Sequence, residues 1–231
     1  MYSPSTTVRT DSTFSTLLQQ VYGWMAAGLA LTGLVAWWVS QSDALLALIF
    51  GQQFVFLGLV VVELGLVIGL TWGLSRMSAM LATLGFVVYS IVSGATLAAI
   101  FLVYTSESIA STFLVTAGVF GAMSMYGYTT KRDLSSWGNL LFMALIGLIL
   151  ASLVNIFLQS TAIYWVTTYA GVLIFVGLTA YDTQKIKRLS AQINERDTEL
   201  FQKMVILGAL SLYLDFVNLF LYLLRLFGKR R

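Results

Sequence analysis

Three carboxylates fall inside long apolar stretches of this chain, Glu63, Asp182 and Asp215, and they hold most of the chemistry that the sequence offers. Placing an aspartate at the centre of a bilayer costs about 2.5–3.5 kcal/mol, so such a residue is expected to face protein or water and to have a task. Reading outward from Asp215 at steps of three and four gives Gly208, Ser211, Asp215, Asn218, Tyr222 and Arg225, a polar stripe on an otherwise Leu- and Phe-rich segment. A helix surrounded by lipid would not carry that stripe. The segment is therefore read as wrapped by other helices, with the stripe facing a polar seam or a wet cavity. A hydrogen-bond network that only locks helices together is the alternative.

Asp182 stands in Tyr-Asp-Thr-Gln, about one turn before Lys185. By position alone it is equally a capping carboxylate at the interface. If it approaches Asp215, the two carboxylates in a poorly solvated site cannot both ionise cheaply and would share a proton. A chain without histidine could then sense pH between about 6 and 8. Counted from Lys203, Asp215 lies 12 residues deep, about 18 Å at helical rise, so contact with a shallower Asp182 requires a tilted or displaced helix, or bridging water. Glu63 is alone in its segment and reads either as a helix-packing hydrogen bond or as part of the same pathway.

Other chemistry is excluded by composition. There is no cysteine and no histidine, so thiolate nucleophiles, disulfides, sulfur metal sites and the usual zinc ligand and general base are absent. No catalytic residue set is assigned, and the chain is not read as an enzyme. An intramembrane aspartyl protease is the one enzymatic alternative, because two aspartates on adjacent spans could share a proton and activate water. By resemblance such enzymes need Gly-x-Gly-Asp; here Leu212, Tyr213 and Leu214 precede Asp215, and Pro4 is the only proline.

The elements that must position these residues are membrane spans. Of 231 residues, 58% are hydrophobic and 10% charged, against roughly 25% charged in ordinary globular chains. About 20 apolar residues cross the hydrocarbon layer, and windows of that kind occur at about 21–40, 53–74, 78–103, 109–128, 137–158, 163–183 and 203–227. The fold class is all-α integral membrane protein with seven transmembrane helices. Residues 1–20 are read as a disordered cytoplasmic tail, 21–228 as the transmembrane domain and 229–231 as a basic tail. With the N-terminus in the cytoplasm, alternate loops carry Arg76, then Lys131 and Arg132, then Lys185, Lys187, Arg188, Arg196 and Lys203, while the opposite loops carry no Lys or Arg. Lys229, Arg230 and Arg231 fall outside, against the rule; the five positive charges of the sixth loop outweigh them. The net charge of +3 is explained by orientation, not by nucleic acid. Gly65, Gly69 and Gly73 recur every four residues and suggest a packing seam, serving an internal contact or a homodimer; monomer and homo-oligomer stay open. Ile186, Leu189, Ile193 and Leu200 suggest an amphipathic helix on the cytoplasmic surface or a solvated connector.

The stretch LTAYDTQKIK (178–187), followed by LGALSLYLDFVNLFLYLLRLFG (207–228), resembles the paired C-terminal signature of the Bax inhibitor-1 family, also called transmembrane Bax-inhibitor-motif proteins. TTKRDLSSWGN (129–139) and the spacing of the seven spans support it, and the resemblance runs from about Val21 to the end, looking most like bacterial inner-membrane members. It implies six helices surrounding a central C-terminal seventh, a pH-sensitive calcium leak, Asp182 and Asp215 as its pH-sensing pair, and Glu63 as an acidic position at calcium entry. Members with a described latch carry an arginine at the cytoplasmic end of span two. Aligning on Glu63 and Trp72 puts Leu74 there and Arg76 two residues later, which makes Arg76 the latch candidate.

The expected function is a calcium or cation leak gated by protonation of Asp182 and Asp215, in a bacterial inner membrane, with Ser211, Asn218 and Tyr222 as further pathway candidates. Calcium takes six to eight oxygens, so Asp182, Asp215 and Glu63 would give only a weak site, as conduction requires. No cofactor is expected; Ca²⁺ is the transported ion, and the partners are the bilayer, calcium ions and membrane proteins. A non-conducting regulator of partner membrane proteins or stress responses, acting through residues 183–203, is the alternative.

Overall fold

The computed structural model describes residues 5–190 and 197–231, with side chains from Thr16 onward. Among these residues the chain forms α1 (Ser5–Ser40), α2 (Asp43–Phe50), α3 (Gln53–Trp72), α4 (Ala79–Leu97), α5 (Ala99–Val103), α6 (Ser106–Thr129), α7 (Ser135–Leu158), α8 (Thr161–Ser190) and α9 (Thr198–Phe227). Seven helical stretches are long and apolar enough to cross a membrane, with mean hydropathy between 1.3 and 2.6. They coincide with the seven windows of the sequence, α4 and α5 together making the third. Helices are the solution because hydrocarbon offers backbone N–H and C=O groups no other partners. At several starts the freed N–H groups are met by side chains: Ser78 caps α4, Thr105 caps α6 and Asp197 caps α9.

Two boundaries differ from expectation. The helix α1 begins at Ser5, and Leu17 and Val21 are buried, so residues 5–20 continue a helix where a disordered tail was expected; residues 1–4 lie outside the described residues. Extending an established helix by a residue is far cheaper than nucleating one, and burial of Leu17 gives this extension something to hold. The second difference concerns residues 183–203. Among the described residues there is no separate surface helix: α8 continues to Ser190 and α9 starts at Thr198. Ile186 is buried and Leu200 exposed, whereas Ile193 lies outside the described residues.

The chain divides into two compact units. One takes α1 to α5 and α9 as far as Tyr213; the other takes α6, α7, α8 to Arg188, and α9 from Leu214. In the first unit, α1 and α4 approach closely at Gly28, whose missing side chain leaves room for the Phe86 ring, and at Gly94, which faces the Thr32 carbonyl and Val35. Tyr213 stands edge-on to Phe86 and Tyr89. Its hydroxyl hydrogen-bonds Thr32 at 2.7 Å and Ser93 at 3.0 Å. In the second unit Leu148 of α7, Ile174, Phe175 and Leu178 of α8, and Leu219 and Leu223 of α9 form one apolar core. Phe113 and Phe120 of α6 pack on Phe216.

Burial separates the spans. In α9, 67% of the apolar window is buried, against at most 33% in any other span and 6% in α3 and α7. The exposed Val61, Leu64 and Ile68 of α3 and Leu150, Leu153 and Ile156 of α7 are the surfaces a bilayer would cover. The glycine repeat of α3 does not make the expected internal seam. Gly65 has no neighbour, Gly69 only reaches Met77, and Gly73 ends the helix against Met77.

Candidate functional site

Asp215 is buried, 4% exposed, in the middle of α9. Its side chain interacts directly with that of Asp182 on α8, and Lys185, one turn further along α8, lies within electrostatic reach of both. The Oδ2 of Asp215 has no hydrogen-bond partner among the described residues. The depth problem raised by the sequence is smaller because α8 does not stop at 183. It runs eight residues past Asp182, so Asp182 sits about 12 Å inside the helix end.

The segment carrying Asp182 is fixed by its neighbours rather than by itself. Gly127 of α6 approaches Ala180 so closely that a methyl group there would overlap the Ala180 backbone, and Gly138 of α7 lies against the Tyr181 ring. Thr183 hydrogen-bonds Ser124 of α6 at 3.0 Å. Gln184, also buried, accepts from the Leu134 N–H at 2.8 Å and donates to the Arg132 carbonyl at 2.8 Å. Lys187 donates to the Tyr128 carbonyl at 2.8 Å. Arg188 pairs with Asp133 at 2.7 Å, bonds Ser135, and donates to Gln184 Oε1 at 2.7 Å. Thus the two stretches 129–139 and 178–188 form one docked clamp, with Asp182 at its inner edge.

Within that clamp Asp133 is exposed. Its carboxyl is held below the usual carboxylate range, first by the Ser135 N–H and hydroxyl, then by the Arg188 guanidinium.

The remaining predicted residues take other places. Glu63 of α3 accepts from Thr96 of α4 at 2.6 Å, which is the helix-packing bond anticipated as one of its readings. Asn218 donates to the Leu214 carbonyl of its own helix at 2.8 Å, half-buried, as is Ser211. Tyr222 stacks on Phe175 and fits against Gly171 of α8. Arg76 is exposed in the turn after α3. Among the described residues no group of three acidic side chains that could hold a metal ion is found, and Glu63 is engaged by Thr96. Sequence reasoning missed Gln184, Arg188, Gly127 and Gly138. The glycines and the polar run 129–139 were the available signal, but which helix each one meets is a three-dimensional fact.

Comparison with known proteins decides the lineage. A family model described as inhibitor of apoptosis-promoting Bax1 matches residues 14–231. The chain belongs to this Bax inhibitor family. It is 58% identical over 216 residues to the inner membrane protein YbhL of Escherichia coli K12, an alignment covering 94% of this chain and 92% of that protein. A Borreliella burgdorferi protein is 43% identical over 93% of this chain and 92% of its own length. A Rickettsia prowazekii protein is 43% identical over 98% of this chain and 96% of its own length. Membership in the Bax inhibitor family and the seven apolar helices make this an integral membrane protein of all-α class.

Proposed function

We propose that the protein is a proton-sensitive cation leak of the bacterial inner membrane, with its N-terminus in the cytoplasm and Asp182 and Asp215 as the proton-binding unit. The observation that carries this reading is the buried Asp215, which meets a second carboxyl group while its Oδ2 has no partner. A carboxylate in that position is costly as a structural device alone. Sharing one proton with Asp182 would hold α8 and α9 together; loss of that proton leaves two like charges at close range and biases the helices apart. Calcium or another cation would be attracted weakly by the ionised pair, with water and Asn218, Ser211 or Tyr222 completing its surroundings. The inner-membrane location is supported by the similarity to YbhL, and the orientation by Lys131, Arg132, Lys185, Lys187 and Arg188 sharing one side.

The test is Ca²⁺ flux into liposomes holding the purified chain, scanned from about pH 6 to 8, for wild type, Asp182→Asn and Asp215→Asn, with thermal unfolding as the folding control. Flux whose pH dependence flattens or shifts in either variant is the expected result. Three folded proteins equally impermeable at every pH would sink the reading.

A further inference from the structure

At the end of the second unit away from Asp182, the turn between α7 and α8 and the end of α9 line an open recess of about 570 Å³, within the roughly 300–1,000 Å³ common for small-ligand sites. Thr161, on its wall, is 21 residues before Asp182 on α8, about 31 Å at helical rise. Two guanidinium groups, Arg225 and Arg230, line it together with Gln159, Ser160, Tyr164 and Trp165, and no acidic side chain does. Arg225 lies over the Tyr222 ring at 5.2 Å and the Tyr164 ring at 6.0 Å. It makes no ion pair or hydrogen bond with another described residue. Arg230 donates to the Tyr164 hydroxyl at 3.3 Å.

The backbone around these groups is fixed. Lys229 bonds Thr105 and Ser108, and the Arg231 N–H bonds the Val103 carbonyl, so residue 230 is held from both sides. Gln159 has φ of 49°, a left-handed conformation uncommon for a residue other than glycine. It closes α7 as a left-handed C-cap, its N–H bonding the Asn155 carbonyl. Arginines near a helix end often only snorkel to the interface. Here both instead converge on Tyr164. A guanidinium stacked on a ring keeps its N–H edge open for a planar or tetrahedral oxyanion, which is the geometry of bidentate phosphate recognition.

We infer that this pocket binds a phosphate group through Arg225 and Arg230. Trp165 and Tyr164 on its wall are residues of the kind that sit at headgroup level, so an anionic phospholipid and a soluble phosphate are the two sources of that chemistry. The inference is independent of the leak, and it gives the basic C-terminal end, which opposes the orientation rule, a ligand to hold.

The test uses the full chain in detergent, titrated with short-chain phosphatidylglycerol, phosphatidylcholine of the same tails, and inorganic phosphate, reading the shift in Tm. Two double variants of equal charge are compared, Arg225→Gln with Arg230→Gln, and Lys229→Gln with Arg231→Gln. Phosphatidylglycerol should stabilise wild type and the second variant alike, while the first needs at least about tenfold more lipid. A response to phosphatidylglycerol alone assigns a lipid headgroup; a response to inorganic phosphate as well assigns the free ion, and either supports the phosphate site. Equal loss in both double variants means bulk charge and overturns it, as does full retention in the first; an equal response to phosphatidylcholine, which carries the same phosphodiester, that is lost in the first variant supports the phosphate site without a requirement for net headgroup charge. Should the first variant be unfolded in phosphatidylcholine, Arg225→Lys carries the test: it keeps the charge but loses the fork, and an unchanged response would overturn the proposal.

Discussion

Gln184 shows how much one neutral side chain can hold in place near an ionisable pair. Its amide satisfies the Leu134 N–H and the Arg132 carbonyl and receives Arg188. Gln184→Ala leaves buried backbone groups unpaired, each worth about 1–3 kcal/mol, so a marked fall in Tm is expected. Gln184→Glu keeps the acceptor for Leu134 and Arg188 and should be the milder change; equal losses in the two would mean that the accepted bonds contribute nothing and that the bond donated to Arg132 carries the whole effect. Asp133 makes the complementary case. Its folded pKa is depressed by Ser135 and Arg188, so its stabilising effect is complete above the unfolded value of about 3.9. It is lost as pH falls through the lower folded value. Nothing in that window reaches pH 6, so Asp133→Asn should leave the pH dependence of flux between about pH 6 and 8 unchanged. A shifted profile would make the clamp, not the aspartate pair, the sensor.

Among the elements, α6 and α8 depend on a contact that only glycine permits. Gly127→Ala drives a methyl group into the Ala180 backbone, whereas Gly118 on the same helix has no neighbour within 4 Å. Overpacking of that sort costs about 1–3 kcal/mol. The expected outcome in thermal unfolding is destabilisation by Gly127→Ala and no loss, or a small gain in helix propensity, with Gly118→Ala. Equal Tm values for the two variants would show that the helices part easily at this point. The seven spans were legible in the sequence because lipid demands about 20 apolar residues in a row, a signal too long to miss. Less legible were their polar ends. The sixth window closes at 183 because Asp182, Gln184 and Lys185 interrupt the apolar run, yet the helix continues to Ser190, where Gln184, Lys187 and Arg188 are matched by residues 128–135. The eight residues of α2 are too few for a periodic signal. The stripe on α9 marked Asp215 correctly as buried, but the empty space beside Gly65 could not be read from its spacing.

For the whole molecule, orientation is the property on which every reading of flux depends. A chain with no cysteine permits single-cysteine probing without background. With the N-terminus inside, Ser75→Cys and Thr130→Cys should resist a membrane-impermeant thiol reagent applied to intact cells, and Gln41→Cys and Ser108→Cys should react; the opposite pattern would reverse the orientation. The division of α9 has a consequence for how the protein is made. One unit needs the helix up to Tyr213 and the other needs it from Leu214, so neither is complete before α9 has been made. Through most of synthesis the earlier helices must wait in the membrane with their α9-binding surfaces covered by lipid or by one another. A premature stop anywhere before residue 198 therefore damages both units at once, because each takes part of its core from α9.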